Sequence, residues 1–182
     1  MKAVSLTRWV FALVLALPTC AALAAGHAHV HGVARMDVAI DGDRLVVQLS
    51  SPLDNLVGFE RAPRNTDERR RVDAAVALLR DGSRLLKPDA AAACRLESAE
   101  LDSAALQLGH PDPSEVAEGH ADIDASYTFR CAAMRRLERL DLSALWSFQR
   151  MQRIEVQVAG PQGQFRRDLA RPQGNLLLGR DR

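Results

Sequence analysis

The chain lacks any long apolar run after its first 24 residues. A transmembrane helix needs about 20 consecutive apolar residues, so the sequence predicts no stable membrane span. It also lacks an excess of either charge: without Lys2 and Arg8 in the leader, 22 basic residues stand against 23 acidic ones. A balance so close to zero gives no reason to expect a nucleic-acid partner.

Recognisable catalytic motifs are also missing. The sequence contains no G-x-S-x-G elbow and no glycine-rich phosphate loop. Its histidines lie in loops without an evident nucleophile beside them. Acidic pairs such as Asp122 and Asp124 are candidates for acid–base work, but a solvated surface is the ordinary explanation for them. The sequence therefore predicts a protein that is not an enzyme.

The first 24 residues have the order of a secretory signal peptide. Lys2 and Arg8 form a short positive region, Trp9–Leu17 is apolar, Pro18 interrupts it, and Ala22–Ala24 supplies small residues before a cut. We expect cleavage near Ala24, which leaves about 158 residues, enough for one domain. The expected organisation is a leader (1–24), a histidine-rich arm (25–32) and a single domain (33–182).

The three cysteines have different expected roles. Cys20 is a candidate for lipid attachment, but the preceding Pro18-Thr19 makes this unfavourable. Cys94 and Cys131 remain after export to an oxidising compartment, where an even pair favours a disulfide. Thiolate ligation of a metal is the alternative, although ligand cysteines usually come closer together in sequence. We predict the Cys94–Cys131 disulfide.

The apolar pattern predicts an α+β fold with a largely antiparallel sheet. Residues 34–49 alternate around an Asp-Gly turn, and residues 153–169 form a second predicted hairpin. Two main helices are expected, each flanked by hairpins: one from Thr66 to Gly82, the other over residues 132–151. Short strands are predicted over residues 84–86, 93–101, 126–131 and 176–178, and loops over residues 51–65 and 108–124.

Five histidines form two groups that suggest metal binding. His27, His29 and His31 alternate in the arm, and an extended chain directs them to one side. His110 and His120 lie in the 108–124 loop among several carboxylates, including Asp122. Imidazole together with carboxylate suits zinc. Disordered or solvated histidines are the alternative for each group taken alone.

Copper or nickel is a further candidate at the start of the mature chain. Cleavage after Ala24 gives an amino terminus of Ala25-Gly26-His27. A free amine, two deprotonated amides and an imidazole offer a square plane of nitrogen atoms, which selects Cu(II) or Ni(II). This hypothesis depends on the exact cleavage site.

Several stretches resemble the ZrgA family of periplasmic zinc-uptake proteins. They are HAHVHG, SPLDNLVGFE, HADIDASYTFRC and IEVQVAGPQGQ, and the likeness extends over nearly all of the mature chain. The resemblance implies export, zinc binding and assistance to a zinc ABC importer. It also implies ligand roles for His27, His29 and His31, for His120 and Asp122, and for Glu60.

The chain departs from the family pattern at two places. Arg61 follows Glu60 where the resemblance implies a histidine, and a cation cannot replace a metal ligand. The 108–124 loop keeps only two histidines, so we expect one zinc site or two. These departures support an alternative hypothesis: a periplasmic interaction module of the same fold that has lost its metal site.

Overall fold

The computed structural model describes residues 30–111 and 121–179. These residues form nine strands and three α-helices, and one helix is much longer than the others. The helices are α1 (Leu53–Val57), α2 (Thr66–Arg80) and α3 (Gly82–Leu85). The strands are β1 (Val33–Asp41), β2 (Arg44–Pro52), β3 (Lys87–Pro88), β4 (Cys94–Asp102), β5 (Asp122–Cys131), β6 (Arg139–Asp141), β7 (Arg153–Gly160), β8 (Gly163–Ala170) and β9 (Asn175–Leu177).

Six strands form the main sheet, in the order β4-β5-β2-β1-β7-β8, and a small sheet has the order β3-β6-β9. Only β1 and β7 pair in parallel among the described strands; the other neighbours are antiparallel. The predicted α+β class with a mostly antiparallel sheet is therefore confirmed. In the part of the chain described here, no helix combines the length and apolar character needed to cross a membrane.

The first hairpin forms as the alternation predicts. Met36 and Val38 of β1 and Val47 of β2 are buried on one face of the sheet. Gly42 opens the two-residue turn with φ of 59°, a conformation that favours glycine. The second hairpin, β7–β8, also forms where it was expected.

The helix that starts at Thr66 is confirmed, with small corrections at its ends. Asn65 is the N-cap, and its side chain accepts a hydrogen bond from the Glu68 amide. Val72, Ala75 and Leu79 form the buried stripe. Gly82 does not simply end the helix; it begins α3, which replaces most of the strand predicted over residues 84–86. The two-residue β3 follows at Lys87–Pro88.

The second main helix, predicted over residues 132–151, is wrong. This segment contains two short 3-10 turns, Met134–Arg136 and Ser143–Ser147, with β6 between them. Leu140 and Leu142, two positions apart, are both fully buried, a spacing that fits an extended segment rather than a helix.

Bonds to distant residues explain why this segment is not helical. The Asp89 carboxylate accepts hydrogen bonds from the amides of Glu138 (3.0 Å) and Arg139 (2.9 Å). The Leu142 amide donates to the Gly174 carbonyl at 2.7 Å. Backbone groups that a helix would pair locally are thus paired with other parts of the chain, and tertiary contacts override the local helical pattern.

The disulfide between Cys94 and Cys131 is confirmed. The two residues are direct partners across β4 and β5. Cys131 is almost completely buried, whereas Cys94 is partly exposed. The bond therefore joins the first residue of one strand to the last residue of its neighbour.

Tyr127, the only tyrosine, should ionise only when the protein unfolds. Its ring is fully buried and its hydroxyl donates to the Leu79 carbonyl at 2.8 Å. Burial raises the pKa of this phenol well above its ordinary value of 10.0. In the unfolded chain the phenol loses its proton near pH 10, so folding stability falls above that pH. In an alkaline titration, phenolate absorbance and loss of circular dichroism should therefore coincide; phenolate in a still-folded protein would contradict this.

Candidate metal centre at one end of the main sheet

The strand registers bring the segments that carry histidines to one end of the main sheet. The start of β1 at Val33 lies beside the start of β7 at Arg153. The end of β2 at Pro52 pairs with the start of β5 at Asp122, and Asp102 at the end of β4 pairs with Asp124. We call this the histidine end; the disulfide lies at the opposite end of the sheet.

His31 contacts two carboxylates at the histidine end. Its Nε2 lies 2.9 Å from Glu60 Oε1, and its Nδ1 lies 4.0 Å from Asp54 Oδ2. The His31 side chain is 61% exposed and that of Glu60 is 38% exposed, so a solvated ion can reach both. An exposed imidazole with a carboxylate within hydrogen-bond distance is a suitable pair of zinc donors.

The spacing of this pair fits zinc. Zinc binds histidine nitrogen and carboxylate oxygen at about 2.0–2.2 Å, so two ligands in a tetrahedron stand about 3.3 Å apart. His31 Nε2 and Glu60 Oε1 are 2.9 Å apart. If the two atoms move apart by a few tenths of an ångström, their spacing therefore matches that of two zinc ligands.

Asn55 fixes the backbone that carries His31. Its Oδ1 accepts a hydrogen bond from the Gly32 amide at 2.6 Å, and its Nδ2 donates to the Val33 carbonyl at 2.9 Å. A further bond from Nδ2 to Ser51 Oγ, at 3.1 Å, fixes the amide group itself. Asn55 is almost completely buried, so these bonds are shielded from water. The short helix α1 thus fixes the chain next to His31.

Glu60 reaches His31 because α1 ends abruptly. Gly58 adopts φ of 87° at the C-cap, and its amide donates to the Asp54 carbonyl. This left-handed position turns the chain back after a single helical turn. Two residues later, Glu60 stands beside His31.

Arg61 is directed to a different partner. Its guanidinium donates to both carboxylate oxygens of Glu68, at 2.7 and 2.9 Å, and lies 4.8 Å from the centre of the Phe59 ring. The amide of Arg64 adds a third bond to Glu68 at 2.7 Å. Arg61 therefore holds the Glu60 loop against the start of α2 and supplies no metal donor.

Removing the charge of Glu68 should destabilise the protein mainly at neutral pH. Its bonds to Arg61 and to the Arg64 amide lower the pKa of Glu68 from 4.5 to about 2. Because its pKa is lowered in the folded state, the Glu68 carboxylate contributes its whole stabilisation above pH 4.5 and loses it as the pH falls towards 2. In urea denaturation, Glu68→Gln should therefore unfold more easily than the wild type at pH 7, with the difference shrinking towards pH 2. A difference that is the same at both pH values would contradict this.

The remaining predicted site residues lie elsewhere at the histidine end of the sheet or outside the described part of the chain. Exposed His110 follows β4, and its amide donates to Asp102 Oδ1 at 2.6 Å. Asp122 is the first residue of β5, and its carbonyl accepts a bond from Ser103 Oγ at 2.6 Å. His27, His29 and His120 lie outside the described residues. Over residues 30–111 and 121–179, no three His, Cys, Asp or Glu side chains gather as a metal-binding group.

A comparison with protein families decides the family. The family model described as ZrgA family zinc uptake protein matches residues 28–178. The chain belongs to the ZrgA family. A search of curated proteins finds no match. Membership of the ZrgA family indicates a role in zinc uptake and confirms the resemblance based on the quoted motifs.

For this ZrgA family member, inspection of the sequence missed three residues of the site. Asn55 fixes the backbone next to His31, and Asp54 faces the His31 ring at 4.0 Å. Arg150 binds Asp54, and none of these three residues was expected to take part. A signal for the first two was present, because SPLDNLVGFE is among the most specific stretches of the resemblance and contains both. Nothing in the sequence indicated Arg150, which meets Asp54 from 96 residues away.

Proposed function

We propose that this protein is a periplasmic zinc-binding protein that captures or delivers zinc for uptake. The observation that carries the proposal is the contact of His31 Nε2 with Glu60 Oε1, 2.9 Å apart, at the histidine end of the main sheet. Both residues belong to stretches that resemble the ZrgA family. The family match supports zinc uptake as the setting and favours a non-enzymatic role.

The proposed ligands come from three segments of the chain: the arm, the loop that carries Glu60, and the start of β5. His31 and Glu60 form the first pair. In the sequence, His27 and His29 come shortly before His31, and His120 comes shortly before Asp122, the first residue of β5. Because β5 and β1 are separated only by β2, their starts lie about 10 Å apart. That distance is compatible with one site whose side chains reach towards each other, or with two neighbouring sites.

Several features support a role outside the cytoplasm. The Cys94–Cys131 disulfide is typical of oxidising compartments, and the first 24 residues have the pattern of a signal peptide. An ABC importer for zinc is the proposed recipient of the ion. Histidine must be neutral to bind zinc, so binding weakens as the pH falls.

Replacing three histidines together tests the proposal. The His27→Ala/His29→Ala/His31→Ala variant, made without a histidine tag, should retain less zinc than the wild type in equilibrium dialysis at neutral pH. Wild type and variant should unfold at the same temperature without metal, because these residues are at or before the start of β1. Equal zinc retention by both proteins would show that His27, His29 and His31 do not bind the ion.

The alternative is an interaction module that no longer binds metal. The engagement of Arg61 with Glu68 favours it, since the position after Glu60 contributes no donor. Under this alternative the wild type itself retains no zinc beyond the buffer concentration. The dialysis experiment therefore separates the two proposals.

A further inference from the structure

The carboxylate of Asp54 is almost completely buried. Its residue is 7% exposed, in contrast to the exposed Glu60 nearby. The guanidinium of Arg150 donates hydrogen bonds to both carboxylate oxygens of Asp54, with Nη2 2.9 Å from Oδ1 and 2.8 Å from Oδ2. The Nε of Arg150 donates in addition to Oδ2 and to the main-chain carbonyl of Asp54, both at 3.1 Å. The carboxylate is therefore fixed in position by one planar group.

The two ring nitrogens of His31 face two different carboxylates. Nε2 meets exposed Glu60 at 2.9 Å, and Nδ1 faces buried Asp54 at 4.0 Å. The exposed pair is open to an ion from solvent. The buried carboxylate of Asp54 therefore lies on the Nδ1 side of the ring, whereas Glu60 lies on the Nε2 side.

Arg150 makes Asp54 unsuitable as a direct ligand. A carboxylate that turned towards an ion would give up charge-assisted bonds to the guanidinium, and the arginine cation would then stand beside the metal. Ligand histidines commonly donate their second ring N–H to a carboxylate, which fixes the ring and raises its basicity. Asp54 is placed for this supporting role, since its carboxylate faces His31 Nδ1 at 4.0 Å.

We propose that Asp54, anchored by Arg150, is a positioning residue that orients His31 so that Nε2 rather than Nδ1 binds the ion. This inference rests on the proposed function, because it requires His31 to be a ligand. It adds to that function the orienting group and the ring nitrogen used.

The test compares Asp54→Asn with Asp89→Asn. Asp89 is a matched control: its carboxylate also binds an arginine, Arg139, at 2.9 Å and is similarly buried, at 14% exposure of the side chain against 10%. It lies away from the histidine end, just before the small 3-10 turn that leads to Cys94. Zinc affinity is measured by competition with a chelator, and thermal unfolding without metal shows whether each variant folds.

Asp54→Asn should weaken zinc binding about 10-fold or more, whereas Asp89→Asn should leave it unchanged. An effect of less than twofold in a folded Asp54→Asn protein would overturn the inference. His31→Ala separates this failure from failure of the proposed function: if His31→Ala abolishes binding while Asp54→Asn has no effect, only the positioning role is lost.

A spectroscopic measurement on the wild type does not depend on any variant. Ring ¹⁵N signals of the zinc-loaded protein should show the metal on Nε2 of His31 and a proton on Nδ1. In a folded Asp54→Asn protein, part of the population should change to the other nitrogen, which a merely structural role would not cause. Zinc on Nδ1 in the wild type would overturn the inference.

Discussion

Replacing His31 with alanine should weaken zinc binding by at least about 100-fold. Loss of an outer partner of a metal ligand typically costs 10–100-fold, and loss of a ligand itself should cost no less than the upper part of that range. His31 Nε2 is the nitrogen in contact with Glu60 Oε1. The side chain is 61% exposed, so its removal should leave the fold intact. Competition with a fluorescent zinc chelator measures the change directly.

Measuring zinc affinity in Glu60→Gln tests whether Glu60 binds the same ion as His31. If both groups bind the same ion, each single variant should remove most of the affinity, and the double variant should lose much less than the sum of the two free-energy changes. Glu138→Gln, an exposed glutamate in another part of the chain, should have no effect. Additive losses from His31 and Glu60 would show that the two residues do not share a site.

Removing the disulfide should have the largest effect on stability. The bond joins residues 37 positions apart, and closing such a loop stabilises a fold by about 3–4 kcal/mol in the chain-entropy model. For a domain of this size, that loss lowers the unfolding temperature by roughly 6–16 °C. The Cys94→Ala/Cys131→Ala variant, compared with the wild type by calorimetry, gives the measurement.

Chemical reduction of the wild type is the matched control, since it breaks the bond without changing a side chain to alanine. Both samples should lose a similar amount of stability. Zinc affinity at a temperature where the protein stays folded should not change, because the disulfide and the histidine end lie at opposite ends of the main sheet. A loss of less than about 1 kcal/mol would contradict the assigned role of the bond.

Local patterns predicted those parts of the fold in which neighbours in sequence determine the structure. The β1–β2 hairpin follows from alternation around Gly42, and α2 follows from its apolar stripe and its acidic first turn. Residues 132–151 carry an equally helical pattern but form 3-10 turns and β6, because Asp89 and Gly174 pair with their backbone. No local pattern contains those distant partners.

In the candidate site, too, some features were predicted from the sequence and others appear only in the folded chain. The sequence predicted His31 as a donor, and the family resemblance implied Glu60 as a donor and marked Arg61 as a departure from the family pattern. It did not indicate that Arg61 binds Glu68, nor that Arg150 anchors Asp54 behind the imidazole. Donor chemistry is visible in residue type, whereas orientation depends on groups that only the folded chain brings together.

A calorimetric titration of zinc into metal-free protein at neutral pH, with no histidine tag, tests the proposed zinc binding most directly. The proposed function predicts saturable binding of one or two ions per chain, with a dissociation constant of about micromolar or tighter. It also predicts that this binding is lost in the His31→Ala protein. Zinc uptake no stronger than about millimolar in the wild type would contradict the proposed function.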